Sequence, residues 1–233
     1  MADPILRLEN LDAFYGDFQA LFGINCQINR GEVIAIIGAN GAGKTTLMRA
    51  ITGLLKSKPE MVQWQQRPVG ALRADQIAGL GIAMVPEGRQ LFPSLSVEEN
   101  LKIGGQIGRP GPWSLDAVFA LFPILKERRH VPSTALSGGQ QLCAIGRALM
   151  ANPDLLLFDE ISLGLAPIII KSIYDALPKI VSGGMTSIIV EQDIAKALSV
   201  SNRVYCLQEG RVSLEGDTTS VSREDISHAY FGV

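Results

Sequence analysis

One short stretch constrains this chain more than any other: Gly38-Ala39-Asn40-Gly41-Ala42-Gly43-Lys44-Thr45-Thr46. The apolar run Val33 to Ile37 leads into it. After it, Leu47, Ala50, Ile51 and Leu54 recur at the spacing of one helical face. The order is strand, loop, helix, and the loop satisfies the pattern G-x-x-x-x-G-K-[ST]. Glycines let the main chain curl so that successive N–H groups point inward at a polyphosphate. The start of the following helix adds unpaired N–H groups and the positive end of its dipole. Lys44 supplies a point charge for the outer phosphates, Thr45 a hydroxyl for Mg²⁺, and Thr46 a donor to an inner phosphate. The bland alternative, a glycine-rich turn with an exposed lysine, leaves the flanking strand and helix unexplained.

A phosphate loop of this kind needs an acid on the metal side, and the sequence offers one. Asp154 opens the apolar run Leu155 to Phe158, which has the length of a buried parallel strand and is closed by Asp159-Glu160. Acids at the end of such a strand sit where open α/β sheets hold ligands. Asp159 is placed to face the Mg²⁺ site, and Glu160 to reach the water that attacks a γ-phosphate.

The 233 residues suit one compact domain with a lobe inserted, and the 47% hydrophobic and 19% charged content is that of an ordinary soluble globular protein. A net charge of −2 gives no bulk attraction to nucleic acid or acidic lipid. No run resembles a transmembrane span, and Met1-Ala2-Asp3-Pro4 starts no signal peptide, so the expected location is the cytosol. Cys26, Cys143 and Cys206 are scattered, without metal-ligand spacing, and read as buried reduced thiols.

In chain order, residues 5–14 and 21–28 alternate in part around the turn Tyr15-Gly16-Asp17, which predicts an antiparallel β element ahead of the phosphate-loop strand. Tyr15, at the strand end, is a candidate platform for an adenine ring. Residues 61–64 read as a short strand, 72–81 as a short helix and 82–85 as a buried strand. The segment Glu87 to Pro93 then shows Leu91 and Phe92, either tucked under the core or offered to a partner, before the helix start Ser96-Val97-Glu98-Glu99. From 98 to 150 the pattern is mainly helical, interrupted by Gly104-Gly105 and by Gly108 to Pro112. Within it lies Leu136-Ser137-Gly138-Gly139-Gln140, with Ser137 as the expected N-cap of a helix that carries Leu142, Ile145 and Leu149 on one face. Residues 203–207 and 211–214 read as a hairpin around Glu209-Gly210. Ser222 to Asp225 starts a terminal helix in which His228 faces solvent.

The phosphate loop, the Leu136-Ser137-Gly138-Gly139-Gln140 segment and Leu155-Leu156-Leu157-Phe158-Asp159-Glu160, in that order, resemble the nucleotide-binding subunit of an ABC transporter. The resemblance covers essentially the whole chain. It implies an α/β, P-loop NTPase (RecA-like) fold: a mostly parallel sheet core over residues 1–86 and 151–233, an antiparallel β flank, and an inserted helical subdomain over 87–150. It also implies a head-to-tail dimer in which ATP on one phosphate loop is capped by Ser137, Gly138, Gly139 and Gln140 of the other protomer.

Three positions depart from the commonest family pattern. Glu87 stands where glutamine is usual beside the metal and the attacking water. Gln192 stands where a histidine usually contacts the γ-phosphate, and Ala166 replaces an aspartate. Gln192 can donate a hydrogen bond but does not titrate near neutral pH. These departures, with Val85-Pro86-Glu87-Gly88-Arg89, Ser162 to Pro167 and Val190-Glu191-Gln192, are similar to one ATPase subunit of branched-chain amino-acid ABC importers. That resemblance implies Mg·ATP as cofactor and a second ATPase subunit, identical or related, as partner. It further implies two integral membrane permeases, an extracytoplasmic solute-binding protein acting indirectly, and a cytoplasmic location on the inner face of the membrane. Two other readings stay open: a soluble ABC ATPase for cofactor assembly or protein remodelling, and a nucleotide-gated, weakly catalytic binding module.

Overall fold

The computed structural model describes residues 4–136 and 138–231. The first half of the chain contains β1 (Leu6–Tyr15), β2 (Phe18–Ile28), β3 (Val33–Ile37), α1 (Lys44–Ile51), β4 (Val62–Trp64), β5 (Arg67–Pro68), α2 (Ala74–Gly79), β6 (Ile82–Val85) and α3 (Val97–Gly105). The second half contains α4 (Leu115–Leu121), α5 (Pro123–Glu127), α6 (Gln140–Leu149), β7 (Leu155–Asp159), α7 (Pro167–Val181), β8 (Thr186–Val190), α8 (Ile194–Ser199), β9 (Arg203–Gln208), β10 (Arg211–Asp217) and α9 (Arg223–Phe231).

Continuous apolar runs make strands that are covered on both faces. β3 is buried at every position, and it lies between β8 and β9 in a six-stranded sheet of order β10-β9-β3-β8-β7-β6. Its contacts with β8 and β9, and those of β7 with β6 and β8, are parallel, whereas β9 and β10 form the expected hairpin. A second, antiparallel sheet of order β2-β1-β4-β5 makes the flank predicted from the alternation ahead of the phosphate loop. Successive residues of the central strands point to opposite faces. Leu155, Leu157, Ile188 and Val190 join a core with α1 and the antiparallel sheet. Leu156, Phe158 and Ile189 join a second core with the helices.

That second core shows how the helical segment is attached. Leu101, Val118, Phe119, Leu142, Ile145 and Leu149 belong to the same cluster as Leu156 and Phe158, so the helices between 97 and 149 pack onto the sheet rather than around a centre of their own. The crossing of α3 and α6 is close enough to demand glycine: a Cβ on Gly104 would lie 1.9 Å from the Arg147 carbonyl oxygen. α3 opens with the predicted capping box, Ser96 and Glu99 bonding each other's main-chain N–H groups. Asn100, fully buried, ties the preceding loop by bonding both the N–H and the carbonyl of Phe92. The choice left open for that loop resolves residue by residue. Leu91 packs against the second core, while the Phe92 ring stays 47% exposed, with the Arg147 guanidinium over it.

Two expectations need correction. Leu54 is not on the α1 face, because the helix ends at Ile51, where the Thr52 hydroxyl bonds back to the Met48 carbonyl and Gly53 turns left-handed at φ 71°. Leu54 is consequently 59% exposed. The helix read over 72–81 forms only over Ala74–Gly79, and Leu72 precedes it. The terminal helix starts as predicted, with Ser222 and Asp225 bonding reciprocally, and His228 is exposed. All three cysteines are buried and free, and burial pushes the Cys26 and Cys143 thiols up to about 12.

Candidate functional site

β3 ends at Ile37, and the chain then makes a loop that only glycine permits. Gly38 has φ 153° and a Cβ there would meet the Leu207 carbonyl oxygen at 2.3 Å. Gly43 has φ 103° and its Cβ would meet Leu21 Cδ2 at 2.7 Å. The loop is therefore pressed between β9 and β2. The first helical bond of α1 runs from the Leu47 N–H to the Gly43 carbonyl at 2.9 Å. The N–H groups of Lys44, Thr45 and Thr46 lie ahead of it without helical acceptors, as an anion site requires.

Lys44 is 5% exposed, and its ammonium is folded into the loop, donating to the Gly38 and Ala39 carbonyls at 2.8 and 3.1 Å. Glu160 Oε1 lies 3.7 Å away from it. From the end of β7, Asp159 Oδ1 accepts from the Thr45 hydroxyl at 3.5 Å. From the end of β8, Gln192 Nε2 donates to Glu160 Oε2 at 2.8 Å and to Asn40 Oδ1 at 3.4 Å. Three parallel strands of one sheet thus deliver the loop, the Glu160 carboxylate and the Gln192 amide to a single cleft of about 790 Å³, into which Glu87 also opens from beyond β6. Asp159 faces an adjoining recess shared with Tyr15, Thr45 and Glu87.

The electrostatics follow from this crowding. Asp159 is 2% exposed, and burial, then the nearby Glu160 and Glu87 carboxylates, push its pKa from 3.8 up to about 6 despite the Thr45 bond and Lys44. Hydroxyl and carboxylate oxygens form a hard donor set that suits Mg²⁺ rather than a soft metal. Among the described residues no three His, Cys, Asp or Glu side chains gather around one metal position. A Mg²⁺ ion at this place would need a phosphate ligand to complete its shell, as is usual for this ion.

Tyr15 stands at the end of β1, its hydroxyl 3.5 Å from Thr46 Oγ1 and 3.3 Å from Arg49 Nη1, so its ring is anchored to α1 beside the loop. Gly138 (φ +72°), Gly139 and Gln140 begin α6, and they do not line the cleft. Gln140 is engaged elsewhere, its Oε1 accepting from Arg89 at 3.1 Å. The N-cap expected at Ser137 falls outside the described residues.

Residues 21–162 match the sequence model of the family described as ABC transporter. The chain belongs to that family. It is 38% identical over 98% of its length to the high-affinity branched-chain amino acid transport ATP-binding protein BraG of Pseudomonas aeruginosa, all of which is covered. The fold is similar to a nucleotide-free ATP-binding cassette from an ABC transporter, with a TM-score of 0.78 at 30% identity over 97% of this chain and 94% of that one. It is also similar to a dimeric cassette in a post-hydrolysis state bound to ADP and Pi, with a TM-score of 0.79 at 26% identity over 91% of this chain and 98% of that one.

Within this ABC cassette the structure adds residues that the sequence did not single out. Arg49 holds the Tyr15 hydroxyl, and its place one turn beyond Thr45 on α1 was the available signal. Phe18 pairs with Tyr15 across the hairpin turn, lines the cleft and is exposed. Arg89 joins the loop after β6 to both ends of α6, through Gln140 Oε1 and through its own carbonyl, which accepts from Arg147 at 3.2 Å. No spacing rule marks such a tertiary link.

Proposed function

We propose that the chain binds and hydrolyses ATP to power an importer of branched-chain or related amino acids. The observation that carries the chemistry is the convergence of Lys44, Thr45, Glu160 and Gln192 on one cleft, with Asp159 bonded to Thr45 from the adjoining recess. The solute rests on similarity to BraG. Lys44 leaves the Gly38 and Ala39 carbonyls to neutralise the outer phosphates, and the α1 N–H groups hold the inner ones. Tyr15 stacks on the adenine. Thr45 and Asp159, with Glu87 beside them, would hold Mg²⁺, which when bound would neutralise charge on the phosphates. Glu160 orients the attacking water and accepts its proton, and Gln192 donates to the γ-phosphate. Catalysis of this kind is positioning and charge stabilisation rather than covalent chemistry.

Because Gly138, Gly139 and Gln140 do not line the chain's own cleft, they are assigned with Ser137 to the ATP of a facing protomer, and the dimeric relative supports that assignment. The half-exposed Phe92 ring, on main chain that Asn100 pins, supports a contact with the membrane permeases. No described helix is long and apolar enough to cross a membrane.

Glu160→Gln is the decisive variant: ATP remains bound and turnover disappears. Hydrolysis at the parental rate would remove Glu160 from its role. Co-purification from detergent with integral membrane proteins separates the importer from a soluble ABC ATPase, which would be recovered with soluble partners only.

A further inference from the structure

Glu160 holds its backbone at φ 48°, a left-handed conformation that a residue with a side chain keeps only when its surroundings enforce it. Two restraints act on Glu160 itself: its N–H donates to the Val190 carbonyl at 3.0 Å and its carboxylate accepts from Gln192. A third acts two residues later, where Glu191 accepts from both the N–H and the hydroxyl of Ser162, at 3.2 and 2.7 Å.

Glu191 is an expensive choice for such a tie. It is 1% exposed, and no Lys or Arg pairs with it among the described residues. The buried Tyr174 hydroxyl of α7 lies against it, and burial raises its pKa. A buried carboxylate that has hydrogen bonds but no countercharge costs stability that a small hydroxyl or amide in the same place would not. Costs of this sort gather at functional sites. Glu191 does not line the nucleotide cleft, so its effect passes through Ser162.

We propose that Glu191 is a positioning residue of the reaction: by clamping both polar groups of Ser162 it locks the segment after Glu160 and keeps the Glu160 carboxylate aimed into the phosphate cleft. This rests on the role given to Glu160 above. The place of Glu191 immediately before Gln192 lets the end of β8 set both groups that address the outer phosphate.

The test combines steady-state ATPase, calorimetric ATP affinity and amide hydrogen exchange on the full chain. Glu191→Ala lowers kcat about tenfold while the ATP Kd stays within about twofold, because misaimed catalytic groups cost rate rather than affinity. Ser162→Ala, which removes one bond and little packing, lowers kcat about threefold. Glu191→Gln still accepts from the Ser162 N–H and can donate to its hydroxyl, so it recovers to within about threefold of the parent. Exchange at the amides around Ser162 quickens in Glu191→Ala while β7 and β8 keep their protection. Parental kcat in both alanine variants, or a Kd that worsens as much as kcat, would overturn the proposal. Should Glu191→Ala not fold, the Ser162→Ala and Glu191→Gln pair decides by the same criteria. A parent chain that binds ATP with no turnover in any assembly would instead overturn the proposed function, and the exchange data would still decide whether the clamp exists.

Discussion

Asp159→Asn is expected to make the nucleotide-free protein more stable, by an amount set by pH. The folded chain shifts the Asp159 pKa from 3.8 to about 6. A carboxyl raised in this way binds its proton more tightly folded than unfolded, so its favourable contribution is complete below about pH 4. It is lost as pH rises to about 6, after which the ionised group is a standing cost. The shift is about 2 pKa units, each worth about 1.4 kcal/mol, which gives an upper figure near 3 kcal/mol. Relaxation of the surroundings and water entering the recess reduce the expected cost to about 2 kcal/mol. Asparagine keeps the shape and the reach to Thr45 without the charge. Near pH 7.5, in chelator and without nucleotide, the variant should melt roughly 4–8 °C above the parent. Near pH 4 the two should coincide. Glu191 is raised in the same direction, but it is present in both proteins and cancels in the difference. Mg·ATP should reverse the ranking, because the parent alone has the charge that the cation stabilises. Thermal unfolding across that pH range is the assay. A variant no more stable than the parent at neutral pH, or a gap that does not change with pH, would refute the electrostatic account of the site.

Other substitutions test separate links. Tyr15→Ala should weaken ATP binding about tenfold and leave inorganic tripolyphosphate unaffected, since only the base stacks; calorimetry with both ligands reads this. Gly38→Ala should prevent the phosphate loop from forming, because its Cβ would meet the Leu207 carbonyl at 2.3 Å; a normally folded variant with parental ATP affinity contradicts the packing described. Gln192→His should retain turnover and add a pH-dependent step near pH 6.5 to kcat that the parent lacks, measured by a rate profile across neutral pH.

The sequence made the phosphate loop, the acid-tipped strand and the flanking hairpin legible because each is encoded locally. A five-residue apolar run such as β3 must be buried on both sides, and Gly-x-x-x-x-Gly-Lys-Thr admits few backbones. Glu87 and Gln192 were named by position, and the structure brings both to the cleft. Leu54 was misread because apolar spacing does not register that Thr52 and Gly53 end the helix. Arg49, Arg89 and Glu191 were given no role of their own for a different reason. Each acts through a partner between 29 and 51 positions away in the chain, such as Ser162 for Glu191 and Gln140 for Arg89, and a contact of that kind exists only once the sheet order is known.

That sheet order also explains why the cleft is electrostatically unfinished on its own. β7 brings Asp159 and Glu160, the loop after β6 brings Glu87, and Lys44 is engaged with loop carbonyls as well as with Glu160. The Glu160 and Glu87 carboxylates add to burial in raising the proton affinity of Asp159, and the register of the strands keeps them together. Relief comes from outside, as a divalent cation for the carboxylates and an anionic phosphate for the lysine, and each makes room for the other. Binding is then coupled through charge, so affinity for nucleotide should depend on metal, and metal on nucleotide, by the same factor. A cleft balanced in the absence of ligand would be more stable and would lose this coupling, which is the trade that Asp159→Asn exposes.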